Sequence, residues 1–214
     1  MCGIEARSIS ICLRIVEKTM RGLDWRLSYV AARCVHATGD PTLPRYIRFS
    51  KGLEHEIQSV CSSVKRVVAD VEMVGSGIAH RCRSAGLDLL VAIRFATSRV
   101  SRVASGLREL VARGLIDGST VLVNGNSPSF LEVALDAAEK GLARPRLVIA
   151  TPPGFIKAPR TKARLLRSGL PYIAVVGSRG GSPVAAAAFN AIMDICSGRA
   201  RTLVEIAKRL GKEP

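Results

Sequence analysis

STVLVNGNSPSFLEVALDAAEKGL, residues 119–142, sets the pattern for most of the chain. TVLV is a continuous apolar, β-branched run, which reads as a strand buried on both faces. NGNSPS (124–129) reads as a strand-to-helix turn, with Ser127 as N-cap and Pro128 at the first helical position. The stretch that follows reads as a helix. The unit is therefore strand, tight turn, helix, which is the building block of a parallel sheet.

The same alternation extends to both sides. VKRVVAD, LDLLVAI, RLVIATP and YIAVVG read as four more strands. VEMVGSGIAHRCRSAG, SRVSRVASGLRELVARG, APRTKARLLRSG and SPVAAAAFNAIMDIC read as the helices between and after them. Five strands alternating with helices predict a three-layer α/β/α domain with a mainly parallel five-stranded sheet. An N-terminal helical segment precedes it. Residues 3–20 form its first helix. Asp24 is placed to cap a second helix, with Gly39 as its stop. PTLPRYIRF reads as an extended connector, and residues 51–63 as a short helix. The chain is expected to be a single domain over 1–214, with a helical part at 1–63, the alternating core at 64–197 and a C-terminal helix at 198–214.

Composition agrees with that class. Apolar residues make up 48% and charged residues 23%, as in a folded globular chain. Aromatics are only 4%, so the core is built from aliphatic side chains. The net charge of +15 favours polyanionic partners: nucleic acid, an anionic small molecule or an anionic membrane surface. Few aromatics argue against base stacking on single strands. No zinc-finger spacing or aromatic RNA-binding motif is present. The first twenty residues read as an amphipathic helix and not as a signal peptide, and no run is long enough for a membrane span. Six cysteines (Cys2, Cys12, Cys34, Cys61, Cys82, Cys196), none in CxxC spacing, read as buried reduced thiols of a cytoplasmic protein.

In a parallel sheet, ligands bind beyond the carboxyl ends of the strands. Five segments leave those ends: DVEMVGSG (70–77), RFATSR (94–99), NGNSPS (124–129), TPPGF (151–155) and GSRGGS (177–182). Four are rich in Gly, Ser, Pro or Asn, which lets backbone N–H groups approach a ligand closely. GSRGGSP has neither GxGxxG spacing nor the Lys-Ser/Thr of a phosphate loop, and Ser182 reads as a helix cap. The three histidines, His36, His55 and His80, form no metal set. His55 and His80 read as exposed. His36 lies near a helix end, where a cation suits the helix dipole.

Taken in order, VHATGD (35–40), the DxxMVxxGI frame of DVEMVGSGI, the GNSPS turn, PPGF and RGGSPVAAAAFNAI resemble the precorrin-8X methylmutase family. The resemblance spans most of the chain. It implies an isomerase that moves a methyl group from C-11 to C-12 of a corrin precursor, with or without cobalt in the ring. It implies no redox cofactor and no protein-bound metal, a polycarboxylate tetrapyrrole as substrate, no nucleic-acid partner and a homodimer. It places His36 as the catalytic acid. The substrate-binding residues it implies are Asp70, Met73, Gly77, Arg102 (or Arg99), Gly125, Asn126, Ser127, Gly154, Phe155, Arg179, Gly180 and Gly181. Three departures stand out. Arg160-Thr161-Lys162 replaces the family's frequent Glu-Ser-Lys, PPGF replaces PVGF, and Ser178 precedes Arg179 where the family often has Arg directly after Gly. The competing readings are a basic nucleic-acid-binding α/β protein and a tetrapyrrole binder without catalysis.

Overall fold

The computed structural model describes residues 3–210. The N-terminal part runs α1 (Gly3–Thr19), α2 (Trp25–Thr38), β1 (Ile47–Phe49) and α3 (Leu53–Ser63). The core then alternates β2 (Arg66–Ala69), α4 (Glu72–Ser84), β3 (Asp88–Val91), α5 (Arg102–Ala112), β4 (Thr120–Asn124), α6 (Pro128–Glu139), β5 (Leu147–Ala150), α7 (Lys157–Leu165), β6 (Tyr172–Val175) and α8 (Ser182–Cys196). It closes with α9 (Arg199–Leu210). The last four residues of the expected C-terminal helix segment lie outside the described residues.

The sheet has six strands, not five, in the order β1-β6-β5-β4-β2-β3. β2 to β6 are mutually parallel, whereas β1 runs antiparallel along β6. The extra strand lies inside the expected connector. It is three residues long and follows a 3-10 turn at Leu43–Tyr46, so its sequence carries no strand periodicity. Its pairing with β6, Ile47 opposite Val175 and Phe49 opposite Ile173, is what extends it.

Alternate residues of the strands feed two cores, as the period of two demands. Val121, Val123, Leu147, Ile149, Ile173 and Val175 face α1–α4, α8 and α9. Leu122, Val148, Ala150 and Ala174 face α5, α6 and α7. Each fully buried aliphatic side chain contributes roughly 1.5–3 kcal/mol.

Asp24 caps α2 as its position predicts, its carboxylate accepting from the Arg26 N–H at 2.8 Å. Gly39 ends the helix in the left-handed region at φ 66°. α2 packs antiparallel on α8. The Tyr29 hydroxyl donates to buried Asp194 near the end of α8 (3.0 Å), and the Cys34 thiol reaches the Val184 carbonyl near its start (3.9 Å).

The cysteines divide. Cys12, Cys34 and Cys82 are free and buried, as expected. Cys61 and Cys196 form a disulfide across a sequence separation of 135, which corrects the expectation of thiols throughout. It joins α3 to the last residue of α8, two helices whose meeting no local spacing reveals. Cys2 lies outside the described residues. Among the described residues, no helix is long and apolar enough to cross a membrane.

Candidate functional site

Because β2 to β6 run parallel, the five expected segments leave the sheet along one edge. The first is anchored by Asp70, which follows β2 and has no exposed surface. One carboxylate oxygen accepts from the Asn124 side chain (2.8 Å) and from the Asn126 and Ser127 N–H groups (2.7 and 2.8 Å). The other accepts from the Val71 N–H at 2.9 Å. Burial pushes its carboxyl above the usual range, and the donors of the 125–127 turn oppose that rise. Asp70 is therefore not placed to touch a ligand, contrary to its expected role. It holds the NGNSPS turn from beneath.

The turn itself leaves no room for side chains. A Cβ on Gly125 would come within 2.6 Å of Val74 and 2.7 Å of the Ser182 backbone. Ser127 occupies the expected cap position, but its hydroxyl pairs with that of Ser129 (2.9 Å), and the Phe130 N–H goes to the Ser127 carbonyl instead (3.1 Å). Ser182 is the first residue of α8, and Gly181 holds the cap position in its place.

The last two segments are bound to each other. The Gly154 N–H donates to Ser178 (2.9 Å), and the Gly181 N–H donates to Thr151 (2.7 Å). Beneath them lies Lys162, whose ammonium donates to the carbonyls of Pro152 and Arg179, both at 2.9 Å. The Arg179 side chain turns back to VHATGD: its guanidinium pairs with Asp40 at 2.8 Å and lies 4.6 Å from the Tyr46 ring centre. Hydrogen bonds from Thr42, with Arg179 adding its charge, hold the Asp40 carboxyl below the usual range.

His36 reaches the same edge by a different route. It sits in the last turn of α2, and the antiparallel packing on α8 carries that turn to the end of the sheet where α8 begins. The imidazole is exposed, and its Nδ1 pairs with the Ser8 hydroxyl of α1 at 2.8 Å. Nε2 is left as the nitrogen without a partner among the described residues.

The rim is apolar and basic. Met73 on α4 is 67% exposed, Val100 80%, Phe155 89% and Ile156 84%. Gly77 lies one turn beyond Met73, and its carbonyl accepts from Asn190 of α8 at 3.0 Å. Arg99 and Arg102 are exposed and have no acidic partner among the described residues, whereas Arg94 is paired with Glu72 at 2.6 Å. His55 and His80 are exposed, as expected. No group of three or more potential metal ligands occurs among the described residues.

The structure thus joins Asp70 with Gly125, Asn126 and Ser127, and Gly154 with Arg179, Gly180 and Gly181. It leaves Phe155, Arg99 and Arg102 at the rim, without side-chain ties to the other segments. Sequence reasoning missed Ser8, Asp40, Thr151 and Lys162. Asp40 stood inside a motif already singled out. Ser8 lies in an amphipathic helix with nothing to mark it.

Comparison with known proteins agrees with this architecture. The family model CbiC: Precorrin-8X methylmutase matches residues 3–195. A cobalt-precorrin-8 methylmutase of Methanothermobacter thermautotrophicus is 29% identical over 190 residues, covering 89% of this chain and 91% of that protein. The precorrin-8X methylmutase of Pseudomonas aeruginosa is 30% identical, covering 82% and 88%. The cobalamin biosynthesis protein CbiHC of Archaeoglobus fulgidus is 35% identical over 77% of this chain, but the match spans only 34% of that relative. The crystal structure of a precorrin-8X methylmutase from Thermus thermophilus superposes with a TM-score of 0.77 at 27% identity, covering 89% of this chain and 97% of that one.

Proposed function

The chain belongs to the precorrin-8X methylmutase family of isomerases in cobalamin biosynthesis, and on that footing we propose that it moves a methyl group from C-11 to C-12 of a corrin precursor with His36 as the general acid. The relatives carry names for both the metal-free and the cobalt-containing substrate, and the reading covers both.

Migration requires an electron-poor π-system at the receiving carbon. Protonation of the tetrapyrrole supplies it. The bond from the methyl group to C-11 then breaks as the bond to C-12 forms, and the proton returns to the acid. Nothing is consumed, so the reaction is an isomerisation. A positioned acid accelerates such a step by about 10²–10⁴. His36 suits the part because Nδ1 is steadied by Ser8 while the ring stays exposed, leaving Nε2 to face the substrate. Either protonation state of the imidazole keeps the Ser8 contact, since a hydroxyl donates or accepts.

The observation that carries this reading is the convergence of His36 with five strand-end segments on one edge. Exposed Met73 and Phe155 offer an apolar surface to the macrocycle, and Arg99 or Arg102 a cation to its carboxylates. Backbone donors of the glycine-rich turns add further hydrogen bonds. Each bond to a charged group is worth roughly 1.5–3 kcal/mol. We further propose a homodimer without a nucleic-acid partner, located in the cytoplasm. The disulfide is the feature that stands against that location, because a reducing cytoplasm keeps thiols apart: protein from thiol-quenched cells, run without reductant, that shows the Cys61–Cys196 link already formed overturns it.

The deciding experiment is His36→Ala, assayed for turnover and titrated with hydrogenobyrinic acid by absorption. Turnover is expected to fall by at least about a hundredfold, with the spectral shift of the bound product retained. Unchanged turnover removes His36 from the mechanism. Loss of the spectral shift in the unmodified protein removes the ligand class.

A further inference from the structure

Lys162 is the only fully buried lysine among the described residues, and no carboxylate stands within ion-pair reach of it. An ammonium withdrawn from water without a counter-charge is costly to the fold. Its two acceptors, the Pro152 and Arg179 carbonyls, belong to the two segments that leave β5 and β6 at the candidate site.

Each acceptor is one end of a trans peptide, so the N–H at its other end points the opposite way. After Pro152 comes Pro153, which has no N–H. After Arg179 comes Gly180, whose N–H has no acceptor among the described residues. Gly180 adopts φ +141°, and a Cβ there would collide with the Thr151 carbonyl, so only glycine fits this position, and the Lys162 bond fixes which way the Arg179 carbonyl faces. The Arg179 side chain is held separately by Asp40. The result is a backbone donor directed away from a buried cation that pulls on its own carbonyl.

We propose that Lys162 is a positioning residue for anion binding: it fixes and polarises the Arg179–Gly180 peptide so that the Gly180 N–H receives a ligand carboxylate, whose charge the buried ammonium complements. The inference rests on the reading of this edge as a tetrapyrrole site.

Other charges on the packed elements are engaged elsewhere. Lys157 pairs with Glu132 (3.2 Å), and Arg164 with Asp136 and Glu139 (2.7 and 2.6 Å). Arg160 is exposed, and Tyr172 of β6 is half-buried. Burial alone pushes the Lys162 ammonium down to about 8. A bound carboxylate pulls it back up, so the affinity for an anionic ligand falls as pH rises through that value.

The test is absorption titration of the unmodified protein and of Lys162→Met with hydrogenobyrinic acid, and with a fully amidated form of the same ring, at about pH 7 and about pH 9.5. The unmodified protein is expected to bind the acid about tenfold more weakly at the higher pH. Lys162→Met is expected to bind it about tenfold more weakly at the lower pH and to show no pH dependence. The amidated ring is expected to bind both proteins alike. A folded Lys162→Met that keeps the unmodified protein's affinity and pH dependence overturns the inference. So does an affinity of the unmodified protein for the acid that is flat with pH, a result that does not depend on the variant folding. No spectral shift with either ring in the unmodified protein overturns the tetrapyrrole reading itself, and the inference with it.

Discussion

Lys162 also leaves a signature in the free protein. Its ammonium is held near 8 in the fold and near 10.4 in the unfolded chain, so between those values the unfolded state binds more protons. Stability from this group therefore rises with pH across that window and levels off above it. Below about pH 8 the buried charge costs about 3 kcal/mol. The thiols of Cys34 and Cys82, each pushed up to about 12 by burial, work in the opposite sense because the unfolded chain ionises them first. The difference between the protein and Lys162→Met isolates the lysine. Urea melts from about pH 7 to about pH 10 should show the variant's advantage shrinking as pH rises. In the sequence this residue was hard to single out. KAPRTKARLLR is a run of basic residues that reads as a solvated helix face, and only the packing of α7 under two loops buries one of them. Asp70 presents the opposite case, legible by motif and misread in role. Asp70→Asn replaces an acceptor of several N–H groups with a group that is half donor. It should lower unfolding free energy by about 2 kcal/mol in urea melts and weaken product binding through the loosened 125–127 turn.

At the scale of elements, the site depends on a crossing of two chain segments that the sequence separates widely. The end of α2 meets the loop between β6 and α8 through Asp40 and Arg179, 139 positions apart. The pair is partly exposed, so Asp40→Asn should cost less than about 1 kcal/mol of stability. Its effect on turnover should be larger, because the pair fixes the segment that carries His36. A double-mutant cycle with Arg179→Ala, read in both stability and kcat, separates the two. Coupling present in stability but absent in kcat would show that the contact does not orient the site. The parallel strands were legible because each is a continuous apolar run closed by a turn. β1 was not, since three residues beside a 3-10 turn become a strand only by lying along β6. The Ser127 cap failed for a local reason. Its hydroxyl turns to that of Ser129, and the Phe130 N–H goes to the Ser127 carbonyl.

The whole molecule is stapled at the end opposite the site. α8 starts at the strand-end edge with Ser182 and finishes, as its fifteenth residue, at Cys196, where the disulfide ties it to α3. Closing so long a loop contributes about 4–5 kcal/mol on a chain-entropy account. Cys61→Ser should therefore lower unfolding free energy by several kcal/mol in guanidinium melts while leaving kcat nearly unchanged. A matched loss of kcat at temperatures where the variant stays folded would mean the two ends are coupled. The same bond makes residues 61–196 a closed covalent ring that contains all the parallel strands and all five segments at the candidate site in full. A protease cutting once at the exposed, arginine-bearing stretch around Arg99 opens that ring without dividing the molecule. The nicked protein should migrate as one chain until a thiol reductant separates its two pieces.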